Sequence, residues 1–292
     1  MMIALMKTFL LSLLALFCVV LSSCSREIKP SQSSILVTIP VYAAVVETLT
    51  DHLIDVQVLV PPGSDPHTYE PKPDQIRHFT EAKVWFRIGE SIEAKMVSFL
   101  EGYGVDIINL SEGKKMLCEE AHHHHGHHHH HEEKDLHLWM DPTLLAEQVG
   151  DIRDHLIPHF PHMKRQIEQN AASMIEKLSQ LDRELAAKLT PFKGYSLMVS
   201  HPAFGYFCNR YHLHQISIEI EGKDPLPQDI AMLMQVDHAK LIPFIIIEPQ
   251  YSSKGATLIG EKLSLTCEEI DPYSPHYFSM LERLSDLIQE KL

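Results

Sequence analysis

The chain has 292 residues, with 25 Lys and Arg against 39 Asp and Glu, and a formal charge of −14 with its imidazoles neutral. Such a field repels phosphate backbones and anionic membranes, so nucleic acid is excluded as a partner; 45% hydrophobic and 22% charged residues can build a real core, in one large domain or two ordinary ones. Histidine is the outlier: there are 21, nine of them in one stretch, and that directs attention to metal.

The first element is an apolar run over residues 8–21 that follows Lys7. It is shorter than the roughly 20 residues that span a bilayer, so it reads as a secretory signal, with a single membrane anchor as the alternative. The sequence Leu21-Ser22-Ser23-Cys24 resembles a bacterial lipobox. Residues 1–23 are then expected to be a signal peptide, Cys24 the lipidated first residue of the mature chain, and 24–34 a polar tether. The protein is expected to be exported, to the periplasm or cell surface, and held to the membrane by lipid. No second long apolar stretch follows, so the chain is not itself a channel. Of the remaining cysteines, Cys118, Cys208 and Cys267 would meet an oxidising compartment, and a Cys208–Cys267 disulfide is open on sequence grounds. No CxxC pair suggests a zinc knuckle.

From Ser34 onward, β-branched runs at 35–39, 56–60, 84–89 and 105–110 alternate with stretches of helical period, such as 41–53 and 92–103. The pattern recurs at 195–200, 216–220, 243–249 and 265–271, with 227–242 read as a helix. Strand alternating with helix implies parallel sheets covered on both faces, hence an α/β fold. Between the halves, residues 161–189 contain no Gly and, after Pro161, no Pro, and they repeat apolar residues every three to four positions. A long helix that braces two lobes is expected there, against the plainer reading of a long helix inside one domain. The organisation expected is an N-terminal α/β lobe at 35–160, a linking helix at 161–190 and a C-terminal α/β lobe at 191–292.

Residues 119–135 read EEAHHHHGHHHHHEEKD, which cannot form a packed core and is expected to be a mobile surface loop. Its internal position and Gly126 argue against an expression tag. His122, His123, His124, His125, His127, His128, His129, His130 and His131 would capture zinc, copper or nickel at low affinity in many equivalent ways.

One precise site needs convergent donors in loops beyond the carboxyl ends of strands. His67 lies in the loop after the strand at 56–60, His137 just before a helix expected near Pro142, His201 at the tip of 195–200, and Asp271 at the end of the last strand. Each also has an ordinary reading. His67 could be a turn residue, His137 an extension of the histidine run, and Asp271 the cap of the following helix; His201, held at a strand tip, is the strongest donor.

Taken together, GSDPHTYEPKPDQI, LHLWMDP, VSHPAFGYFCNRY and the closing IDPYS resemble the metal-binding proteins of bacterial ABC importers, specifically the zinc and manganese cluster. The resemblance covers nearly the whole mature chain, and the His-rich loop before the second donor is similar to that of zinc-uptake members. It implies two (βα)4-like lobes joined by a rigid helix, a metal in the cleft, and His67, His137, His201 and Asp271 as its ligands. It also implies a separate ABC permease and its ATPase as partners, since the chain has no GxxxxGK[ST] loop, and a monomer as the expected state. The manganese members typically carry a carboxylate where this chain has His201. Three imidazoles and one carboxylate suit tetrahedral Zn²⁺, whereas Mn²⁺ prefers more oxygen donors; Zn²⁺ is the expected cargo, and Mn²⁺ or dual use is the alternative.

Two other functions compete. A secreted zinc hydrolase is disfavoured because His131-Glu132 is followed by Asp135 where HExxH needs histidine, and because four protein donors leave no place for an activated water. A metal buffer or adhesin would rely on the histidine loop. The chain is therefore expected to be no enzyme.

Overall fold

The structure, a computed structural model, describes residues 34–117, 134–219 and 225–292. The expected signal peptide, Cys24 and its tether, Cys118 and the nine clustered histidines lie outside the described residues.

Strands β1 (Ser34–Val37), β2 (Asp55–Val58), β3 (Ala82–Arg87) and β4 (Asp106–Asn109) form a wholly parallel sheet in the order β2-β1-β3-β4. Strands β5 (Ser196–Val199), β6 (His214–Ser217), β7 (Leu241–Ile247) and β8 (Thr266–Glu269) repeat the arrangement as β6-β5-β7-β8. All eight strands start within two residues of the sequence-derived runs. In each sheet the chain reverses its direction of winding between the two central strands, and a cleft opens beyond their carboxyl ends at such a point.

The helices are α1 (Pro40–Leu49), α2 (Pro73–Phe79), α3 (Ser91–Glu101), α4 (Pro142–His159), α5 (Lys164–Leu189), α6 (Gly205–Tyr211), α7 (Pro227–Leu233), α8 (Lys254–Leu263) and α9 (Tyr277–Lys291). Pro occupies the first turn of α1, α2, α4 and α7, where a missing N–H costs nothing. The long helix α5 has 26 residues, hence a length of about 39 Å at 1.5 Å per residue. It buries Ile167, Ala171, Met174, Leu178, Leu181, Leu185 and Leu189, a stripe at helical spacing.

Alternation along the strands divides the core. Ile35, Val37, Val84 and Phe86 from the first sheet and Leu197, Val199, Phe244 and Ile246 from the second join α1, α4, α5 and α9 in one continuous apolar cluster. The opposite faces make separate cores: Leu36 and Trp85 with Met96 and Leu100 of α3, and Met198 and Ile245 with Ile259 of α8. Because the inner core runs through α5 without interruption, the lobes share packing instead of pivoting on a bare linker.

Two expectations are corrected. The stretch 227–242 is not one helix: α7 stops at Leu233, the Asp237 carboxylate accepts from Ala239 N at 3.0 Å to start a 3-10 turn at His238–Lys240, and β7 begins at Leu241. A short acidic side chain that bonds its own backbone competes with helix propagation. Nor are Cys208 and Cys267 bridged. Cys208 is buried in the inner core on α6, whereas Cys267 packs on the other face of the second sheet beneath α8, so the sheet itself separates them. Among the described residues, no helix is long and apolar enough to cross a membrane.

Candidate metal centre

His67 stands in the loop after β2, where an Asx turn sets its direction. The Asp65 carboxylate accepts from His67 N at 2.9 Å and from Thr68 Oγ1 at 2.6 Å. His137 is built the same way: Asp135 Oδ1 accepts its backbone N–H at 2.9 Å, and Trp139, fully buried just beyond it, donates to Pro272 O at 2.8 Å. His201 follows β5 and Ser200; its N–H reaches Glu248 Oε2 at 3.3 Å, and Ser200 Oγ donates to the same oxygen.

The three imidazoles meet. One ring nitrogen of each lies within 4.8 Å of the others, and His67 Nε2 is 3.2 Å from His201 Nε2. His137 and His201 are buried, and His67 is partly open to solvent. Behind each ring stands a carboxylate on the Nδ1 side: Glu90 at 3.1 Å from His67, Asp135 at 2.8 Å from His137 and Glu219 at 3.0 Å from His201. An ionised carboxylate only accepts, so each Nδ1 carries the proton and each Nε2 presents its lone pair inward. Two lone pairs at 3.2 Å repel unless something positive stands between them. Burial first, then the neighbouring His137 and His67, hold the His201 pKa well below its usual value.

The supporting residues are themselves placed by the fold. Glu93, wholly buried at the start of α3, accepts from Ile88 N at 3.0 Å and Gly89 N at 2.7 Å, which shapes the turn that carries Glu90. Gly89 has φ +107°, and a Cβ there would meet Ser111 Oγ at 3.2 Å and Leu136 Cδ2 at 3.3 Å, beside His137. Gly205, opening α6, leaves room for the second carboxylate oxygen: a Cβ would lie 2.6 Å from Asp135 Oδ2. Burial pushes Glu248 up to about 8 and raises the phenols of Tyr251 and Tyr273 far above their usual range.

Asp271 is not brought into the group of three. Its Oδ1 accepts from Gln250 Nε2 at 2.8 Å and Tyr273 N at 2.9 Å, and α9 starts only at Tyr277, so it does not cap that helix either. Tyr273, two residues on, does reach the centre, with its hydroxyl 2.9 Å from His137 Nε2 and 3.2 Å from the Tyr251 hydroxyl; Tyr251 stacks on His201 at 4.0 Å.

Glu90, Asp135, Glu219, Tyr251 and Tyr273 are not among the site residues expected from the sequence. Asp135 carried a signal, because Asp65-Pro66-His67, Asp135-Leu136-His137 and Asp271-Pro272-Tyr273 share an Asp two residues before the functional ring, each bonding the later backbone N–H. Asp135, at the end of the stretch expected to be a mobile loop, is buried. Its N–H donates to Leu117 O at 3.0 Å, and Tyr206 Oη accepts from Leu117 N and donates to Asp135 O, both at 2.9 Å. The two flanks of the histidine segment are thereby pinned together at the edge of the centre.

Residues 35–291 match the model of the family described as zinc-uptake complex component A, periplasmic. The chain belongs to that family. It is 27% identical over 254 residues to a putative metal-binding protein of Chlamydia muridarum, covering 86% of this chain and 89% of that one. It is 29% identical over 282 residues to the zinc-binding lipoprotein AdcA of Streptococcus pneumoniae, covering 91% of this chain and 55% of AdcA. The chain thus spans about half the length of the AdcA relatives it matches. A crystal structure of ZnuA superposes with a TM-score of 0.80 at 30% identity, covering 89% of this chain and 98% of that one. A two-lobe α/β fold with a long helix between the sheets is therefore common to this chain and the family.

Proposed function

We propose that this chain is the extracytoplasmic zinc-binding component of an ABC importer, which captures Zn²⁺ in the cleft and passes it to a separate permease driven by its own ATPase. The observation that carries the reading is the convergence of three carboxylate-backed Nε2 atoms supplied from both lobes. For Zn–N bonds of about 2.0 Å the edge of a tetrahedron is about 3.3 Å, close to the 3.2 Å between His67 and His201. Nitrogen donors with carboxylates behind them suit Zn²⁺ better than Mn²⁺.

His67, His137 and His201 are the proposed donors, and Asp271 completes the tetrahedron once its carboxylate gives up its bond to Gln250. Lipid at Cys24 would tether the protein beside the permease, and His122–His131 would gather ions at low affinity. The shared inner core restrains hinge closure, so release proceeds by displacement of donors in the loops that carry them. The test is metal analysis of mature protein that lacks residues 119–133, purified without chelator. One zinc per chain supports the reading; predominant manganese redirects it to the alternative cargo, and no tight metal rejects it.

A further inference from the structure

The geometry points to Tyr273 as a competitor for the ion: its hydroxyl and the cation contend for one lone pair, on Nε2 of His137, and that contest sets how firmly the ion is held. This rests on the zinc reading above.

The His137 Nδ1 lies 2.8 Å from Asp135 Oδ1, which can only accept, so the ring proton sits on Nδ1. Nε2 then has a single lone pair, and the Tyr273 hydroxyl, 2.9 Å away, donates to it. That lone pair cannot accept a hydrogen bond and bind a cation at once. The hydroxyl is aimed and is no passing contact. Tyr273 is 3% exposed, its backbone N–H is tied to Asp271 Oδ1 at 2.9 Å, and its ring packs between His137 at 5.9 Å and Trp139 at 5.5 Å.

Tyr273 also has somewhere to turn. The Tyr251 hydroxyl lies 3.2 Å away, so when a cation takes Nε2 the displaced hydroxyl keeps a partner. Capture therefore exchanges the Tyr273–His137 bond for coordination, and the Tyr251–Tyr273 contact still engages both hydroxyls through one shared proton. The bond crosses the cleft, from the segment before α4 to the segment after β8, and reforming it assists departure of the ion.

The two hydroxyls consequently carry opposite signs. Tyr273→Phe removes the competitor, keeps the ring, and should tighten zinc binding about 2- to 10-fold, the equivalent of one net hydrogen bond, chiefly through slower release. Tyr251→Phe removes the fallback partner and should weaken binding, and adding Tyr273→Phe to it should abolish that loss. Zinc affinity is read by competition with a chromophoric chelator, release by stopped flow, and integrity by thermal unfolding. Unchanged or weaker binding in Tyr273→Phe overturns the inference while wild-type zinc binding stands; wild-type protein that takes no zinc overturns both. Should Tyr273→Phe fail to fold, Tyr251→Phe decides alone, and equal or tighter zinc binding there overturns the inference.

Discussion

A single oxygen of Asp135 holds His137 at both ends: Oδ1 accepts the backbone N–H at 2.9 Å and faces the ring Nδ1 at 2.8 Å. Main chain and imidazole are fixed relative to one another, which removes the rotation that a metal would otherwise have to freeze. Asp135→Ala should lower zinc affinity about 10- to 100-fold, the usual effect of losing a partner behind a ligand. Gly205→Ala should act in the same direction, since its Cβ would collide with Asp135 Oδ2. Competition titrations of both variants check this, and wild-type affinity in Asp135→Ala would refute it.

The same contact defines how the histidine segment can be removed. Deletion of 119–133 should keep one tight zinc, whereas deletion of 119–135 should hold it about 10- to 100-fold more weakly because Asp135 goes with the loop. Chelator competition separates the two deletions, and loss of tight zinc in both would favour the metal buffer.

Loss of a donor should exceed loss of a supporting residue. His201→Ala should weaken zinc binding by orders of magnitude, since one of three convergent nitrogens is gone. His155→Ala, an exposed ring bonded only to Asp151 O at 2.9 Å among the described residues, should bind as the parent does. Chelator competition on the pair supplies the comparison.

The acidity of the core should appear in its stability. Burial raises Glu248 to about 8 from an ordinary value of 4.5, so the native state favours the protonated carboxyl. Its contribution is complete below pH 4.5 and is lost as pH rises from there through 8. His201 acts with the opposite sign: its lowered pKa makes the metal-free protein lose stability as pH falls below 6.5. Glu248→Gln should flatten the decline above pH 4.5, a difference on the order of a few kcal/mol at pH 8. Denaturant titrations across pH measure it, and an unchanged pH slope would contradict the assignment.

The continuous inner core predicts cooperative unfolding. Leu178→Ala, in the middle of α5 and 1% exposed, should destabilise the protein by about 2–5 kcal/mol. The loss should shift a single transition, because the apolar cluster to which Leu178 belongs draws on both lobes. Two separated calorimetric transitions would show that the lobes fold independently.

Much of the fold was legible because its signals are local. Strands such as Ser34–Val37 and Leu241–Ile247 are short runs rich in apolar and β-branched residues, and α5 announces itself by an apolar residue every three to four positions. Where local signals conflict, as at Val236 and Asp237 in an otherwise helical pattern, the reading ran past the true end of α7.

At the centre, residue chemistry and position in loops near strand ends marked His67, His137, His201 and Asp271 as candidates, the resemblance implied the same four as ligands, and three of them converge. Which groups stand behind those rings was decided in three dimensions. Glu90 is 23 residues from His67 and Glu219 is 18 from His201, and no periodicity reports so long a separation. The same holds for Tyr273, which meets His137 across 136 residues, and for Asp271, whose carboxylate is drawn to Gln250 and away from the imidazoles. Sequence determined which side chains could bind a cation, because that is a property of their atoms. Only the packing of two sheets against one helix decided how their lone pairs are aimed, because direction arises from contacts that the chain order does not contain.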